Sequence, residues 1–155
     1  MICLNSKKTE LLLLHPSRKF NSFDFKHKIN GSRLYPCDSV KYLGIIFDSN
    51  FNFEPHISSL CKKLARANGI LSKIRHYVSR EILLSVYISL FHSHLSYSVN
   101  SWAVNINRCK RIQNLQKRAV RLITFSDFDA HSLPLLTQLR ISSFNDFVKY
   151  SNIIR

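Results

Sequence analysis

Apolar residues at Ile57, Leu60, Leu64, Ala67, Leu71 and Ile74 recur at steps of three and four, the mark of one buried face of a helix over about residues 55–76. Ser79 is placed to cap a second helix running from Arg80 to about Tyr97, and Asn105 or Asn107 to cap a third that reaches about Thr124. Ser132-Leu133-Pro134 reads as a cap followed by an early-helix proline and opens a short fourth helix. Ser142 or Ser143 begins a fifth that ends near Ile154.

The first fifty residues follow a different rule. Lys8 to Leu14 is a short apolar strand stopped by His15-Pro16, and Phe25 to Ile29 alternates before Asn30-Gly31, the dipeptide that suits a type I′ hairpin turn. Val40 to Asp48 supplies another strand with Gly44 in its middle, where glycine marks a bulge or the close approach of another backbone or a ligand. The pattern predicts an α+β protein: a small N-terminal antiparallel sheet followed by a bundle of four to five helices.

Composition leaves this picture intact, since 155 residues with 45% hydrophobic side chains suffice for a packed domain. Charge changes it. The 23 Lys and Arg against 9 Asp and Glu give a formal +14, which makes a polyanion the leading class of partner. The excess is concentrated: Cys61 to Arg121 holds twelve basic residues and one acid, Glu81. On helical wheels Lys62, Arg66 and Lys73 fall within about 40° of one another, and so do Lys110, Lys117 and Arg121, with Arg111 and Arg118 on the flank. The first stripe opposes the Ile57/Leu60/Leu64/Leu71 face and the second opposes Ile112, Leu115, Ala119 and Leu122. A solvated face usually mixes acids with bases; these faces do not, which favours phosphate contact over a plain solvent surface.

Other chemistry is scarce. No nucleophile elbow, phosphate-binding loop or His-Glu-x-x-His run occurs, and Asp127 and Asp129 read as loop residues rather than metal ligands. His92 and His94, two apart, diverge on a helix and read as partly buried polar residues. Cys3, Cys37, Cys61 and Cys109 lack zinc-type spacing and read as reduced intracellular thiols, with nucleus and cytoplasm both left open. Ile82 to Asn107 carries no charged residue, yet its serines, histidines and asparagines suit a helix buried in a protein core better than one in a bilayer.

Four segments, in order, organise these pieces: "LNSKKTELLLL" (Leu4 to Leu14), "VKYLGIIFDSNFNFEPHI" (Val40 to Ile57), "YISLFHSHLSYSVNSWA" (Tyr87 to Ala103) and "LQKRAVRLI" (Leu115 to Ile123). Together they resemble the C-terminal part of a non-LTR, LINE- or jockey-like retrotransposon reverse transcriptase. The resemblance implies that residues 1–50 are the end of a polymerase palm with primer-grip-like strands, a palm remnant with a primer-grip hairpin, and that 51–155 are a helical thumb and connection. It implies that Tyr42, Leu43 and Gly44 belong to the primer grip, Gly44 letting nucleic acid or a neighbouring strand come close. Lys8 falls on the lysine of the family's Asn-x-x-Lys-Thr-Glu segment, where a proton donor to departing pyrophosphate is expected. Ser98 and Ala103 stand where the family often has glycine.

The partner implied is an RNA/DNA template–primer duplex, contacted by Lys62, Arg66, Lys73, Lys110, Lys117, Arg118 and Arg121, with no membrane role. The family's Phe/Tyr-Ala-Asp-Asp run and the Mg²⁺ it holds belong upstream of the lysine segment, so the expectation is an open reading frame from a truncated element that binds no cofactor itself and is inactive alone. Two other readings stay open at this point: a basic helical nucleic-acid-binding module with no polymerase role, and an element remnant with no partner at all.

Overall fold

A computed structural model describes residues 5, 9–14, 28–29 and 31–153. The chain forms an α+β protein whose residues gather into two units, Met1–His56 and Ile57–Arg155. In the first unit the strands are β1 (Leu11–Leu12), β2 (Lys28–Ile29), β3 (Ser32–Arg33), β4 (Pro36–Cys37), β5 (Ser39–Tyr42) and β6 (Ile45–Asp48). β2 and β3 pair antiparallel around Gly31, whose φ is +79°; Asn30, the other half of the expected turn, lies outside the described residues. β1 and β4 pair parallel, with the Cys37 thiol donating to the Leu11 carbonyl at 3.1 Å. An all-antiparallel sheet is therefore not what forms, because a contact closed across a long connection leaves no trace in local alternation.

The expected strand over Val40–Asp48 is instead a hairpin. β5 and β6 pair antiparallel with Tyr42 opposite Ile45, so Leu43 and Gly44 form a two-residue turn with φ of 46° and 81°. Positive φ at both central positions is what a type I′ turn requires, and Gly44 serves that need rather than a bulge. After β6 the chain turns sharply. The buried Asp48 carboxylate accepts the N–H of Phe53 at 2.6 Å through Oδ1 and that of Asn52 at 3.1 Å through Oδ2. Phe47, Phe51 and Phe53 cluster over this turn with ring centroids 5.1–5.9 Å apart.

The helices are α1 (Glu54–Ile74), α2 (Arg80–Val86), a π-helical turn (Tyr87–His92), α3 (Ser93–Ser96), α4 (Val99–Trp102), a 3₁₀ turn (Ile106–Cys109), α5 (Lys110–Thr124), α6 (Ser132–Gln138) and α7 (Phe144–Ile153). α1 buries Ile57, Leu60, Leu64, Ala67 and Leu71 as its periodicity predicts, and Cys61 and Asn68 with them. Each fully buried leucine contributes about 1.5–3 kcal/mol by leaving water.

Leu83, Tyr87, Phe91 and Leu95 are all buried at steps of four. In a pure α-helix such a stripe drifts by about 40° per step. The π turn in the middle holds more residues per turn and keeps the four on one line. Ser85, Ser89 and Ser93 occupy the exposed side, their hydroxyls donating to the carbonyls of Glu81 (3.0 Å), Ser85 (2.8 Å) and Ser89. The uncharged segment is thus half exposed rather than buried all round, and no helix among the described residues is long and apolar enough to cross a membrane. His92 is half-buried with its ring 5.3 Å from Phe147, and His94 is exposed.

Caps differ in detail from the sequence reading. Asn105 caps as expected, its side chain accepting the Asn107 N–H at 3.1 Å. Ser143 caps α7 reciprocally with Asp146. Ser79 precedes α2 but bonds the Glu81 carboxyl rather than the backbone, which holds that acid below the usual carboxylate range. The cap position of α6 is His131, and Ser132 is already inside the helix.

Glycine is used at only three positions in the chain, and bulkier residues fill left-handed conformations elsewhere: Leu43, Phe51, Phe53, Ser98, Phe125 and Arg140 all have φ between 46° and 56°. Ser98, where the resemblance implies a glycine, is left-handed just before α4. Relief of about 1–2 kcal/mol of steric cost exceeds the added flexibility of the unfolded chain, so Ser98→Gly is expected to stabilise by about 0.5–1 kcal/mol. Urea titration followed by circular dichroism tests this. In the first unit, Asp48→Ala is expected to destabilise by about 2–4 kcal/mol because two backbone donors lose a charged acceptor; a midpoint equal to wild type would show that the turn does not need it.

Candidate nucleic-acid interface

The second unit is organised on α5, which packs against α2, α6 and α7. Its buried residues are Ile112, Gln116, Ala119, Val120 and Ile123. Ile112 and Ala119 are buried as expected, but Leu115 and Leu122 are only half-buried, so the helix is rolled relative to the expected Ile112/Leu115/Ala119/Leu122 face. Gln116 takes up the buried side. Its Nε2 donates to the Tyr87 hydroxyl at 3.2 Å and the Ser142 carbonyl at 3.0 Å, and its Oε1 accepts the Phe144 N–H at 2.8 Å. Burial pushes the Tyr87 phenol above its ordinary pKa, and the Gln116 hydrogen bond opposes the shift. Phe144 in turn stacks on the buried Trp102 at 6.1 Å, and Asn100 donates to the Ser151 carbonyl at 2.9 Å, closing α4 onto α7.

On the other side, the buried Asn68 of α1 donates to the Leu115 carbonyl at 2.9 Å, holding α1 beside α5. Between the two helices lies an open groove of about 710 Å³. Lys62 enters it from α1, and Arg111, Lys117, Arg118 and Arg121 from α5; among the described residues no acidic side chain lines it. Arg111 and Arg118, flank residues on the wheel, are therefore inside the cationic surface. Lys110, Arg66 and Lys73 are exposed but do not line this groove.

Arg121 has a structural duty as well, since its Nε donates to the Ala130 carbonyl at 2.8 Å and pins the loop between α5 and α6. The Phe128 ring on that loop lies 5.9 Å from its guanidinium. Asp127 and Asp129 flank Phe128 and are exposed, and among the described residues no three His, Cys, Asp or Glu side chains gather as metal ligands would.

Tyr42 and Leu43 stand 64% and 71% exposed at the tip of the β5–β6 hairpin, with Gly44 beside them, in the first unit. Lys8 lies outside the described residues. Sequence reasoning missed Gln116 and Asn68, whose signal is a carboxamide placed within an apolar stripe, and Asp48, whose signal is an acid closing a strand just before a helix.

The chain is 26% identical over 121 residues to a probable RNA-directed DNA polymerase from the transposon X-element of Drosophila melanogaster, a match covering 74% of this chain and 13% of that protein. It is 27% identical over 97 residues to a retrovirus-related Pol polyprotein from the type-1 retrotransposable element R1 of Bradysia coprophila, covering 55% of this chain and 10% of that protein. Its homologues are thus non-LTR retrotransposon reverse transcriptases, of whose length it spans roughly a tenth. No family model and no solved structure matches it.

Replacing Gln116 by Leu keeps most of the volume and removes every hydrogen bond, leaving the Phe144 N–H and Ser142 carbonyl without their partner. The expected loss is about 2–4 kcal/mol in urea unfolding. A variant as stable as wild type would mean that apolar packing alone sets the roll of α5.

Proposed function

We propose, from its homology to non-LTR retrotransposon reverse transcriptases, that this chain is the part of an RNA-directed DNA polymerase that holds template–primer nucleic acid. The observation that carries the reading is the groove between α1 and α5, with five cations and, among the described residues, no acid on its walls. Such a surface repels itself, and a row of phosphates relieves that repulsion while releasing condensed counterions. On this reading the helical unit is thumb-like, and the β5–β6 hairpin is the primer grip, its tight turn thrusting Tyr42 and Leu43 outward to meet the primer strand.

Nucleotidyl transfer is assigned elsewhere. The chain contains no Ala-Asp-Asp run, so the carboxylates that hold Mg²⁺ for phosphoryl transfer come from residues other than these 155. By itself the chain binds and does not extend a primer. Lys8, if it acts as proton donor to pyrophosphate, does so only beside that catalytic centre.

Binding is expected to be largely indifferent to sequence and steeply weakened by salt, with a log–log slope of about 4–5 on B-DNA if all five cations neutralise phosphates. The double variant Lys117→Gln/Arg118→Gln removes two exposed charges without touching the Arg121–Ala130 anchor and is expected to lower the slope by about 1–2. Filter binding across a salt series measures both. Unchanged affinity and slope in the double variant would reduce the groove to an ordinary solvent face.

A further inference from the structure

Phe128 is 83% exposed, yet it lines the cationic groove. Exposure of one apolar ring is commonplace and says little alone. Its setting says more. Phe125, three residues earlier, is engaged by the Arg75 guanidinium 5.0 Å from its centroid and by the His76 ring at 6.5 Å. Phe128 has Arg121 over it at 5.9 Å and, among the described residues, no other ring or cation partner, so most of its surface is open to a ligand in the groove. Asp127 and Asp129 on either side are exposed carboxylates. As acceptors they tolerate the amino groups on a base edge.

Resting on the nucleic-acid reading of the groove, we propose that it takes a single-stranded segment: phosphates lie along Lys62, Arg111, Lys117 and Arg118, and an unpaired base stacks on Phe128. A base inside a duplex has both faces covered by its neighbours and offers none to the ring. An unpaired base offers a π face whatever its identity, so stacking adds affinity without sequence preference. Arg121 is held by its bond to the Ala130 carbonyl, and its guanidinium against the ring keeps the platform in place at the groove's end.

The test uses the full chain and three probes: a fluorescent oligouridylate, an oligothymidylate of the same length, and a blunt duplex. Phe128→Ala is expected to weaken both single strands by about 5- to 150-fold, to leave the blunt duplex within about twofold, and to leave the salt slope unchanged, because no charge is removed. Phe128→Trp is expected to retain single-strand affinity. A 2-aminopurine in the strand is expected to change its fluorescence on binding wild type and not on binding Phe128→Ala. Because the side chain is exposed, both variants are expected to keep the wild-type circular dichroism spectrum. Single-strand affinity unchanged in Phe128→Ala, or an equal loss on the blunt duplex, would overturn the stacking role while leaving the phosphate-binding groove standing. A wild-type chain that binds none of the three probes would remove the groove's function and this inference together.

Discussion

The carboxamide of Gln116 is the interaction on which the helical unit turns. Apolar packing holds α5 in place but has no direction, and a helix whose apolar residues Ile112, Leu115, Ala119, Val120, Leu122 and Ile123 span a wide arc has more than one acceptable roll. Three hydrogen bonds from one buried side chain, to the Tyr87 hydroxyl, the Ser142 carbonyl and the Phe144 N–H, admit only one. A half-satisfied buried amide is worse than none, so the network selects its geometry sharply. Once that roll is set, Arg111, Lys117 and Arg118 lie on the open side of α5 and Leu115 lies at the wall of the groove.

The groove depends on a second buried amide, of which only the nitrogen is bonded among the described residues. Asn68, buried on α1, reaches the Leu115 carbonyl and brings Lys62 to the same groove as the α5 cations. Neither amide bears charge. Both act by deciding which charged side chains share one volume, and only charges that share a volume within about a Debye length act jointly on a polyanion.

Backbone conformation carries a comparable burden in a chain with so few glycines. Leu43 accepts a left-handed turn position next to Gly44, Ser98 does so between two short helices, and Phe125 does so at the end of α5. At the end of α5 the geometry starts the loop that carries Phe128. In the hairpin it leaves an exposed leucine at the tip. Asp48, whose carboxylate accepts two backbone N–H groups, fixes the turn that leads from the last strand to α1.

The periodicity of Ile57 through Leu71, the excess of cations and the order of the segments determined by themselves where the two long helices α1 and α5 run, that the N-terminal fifty residues are strand-rich, and which family the chain resembles. These are local or one-dimensional properties: a 3.6-residue repeat and a charge count need no partner to be read. The hairpin at Leu43-Gly44 was hidden because leucine is a poor signal for positive φ. The parallel pairing of β1 with β4, the roll of α5, the entry of Arg111 and Arg118 into the groove and the second duty of Arg121 were decided only by the tertiary structure. Each depends on contacts between separate segments, such as the bonds of Cys37 to Leu11 and of Gln116 to Tyr87, Ser142 and Phe144, and such contacts have no signature in the pattern of either segment alone.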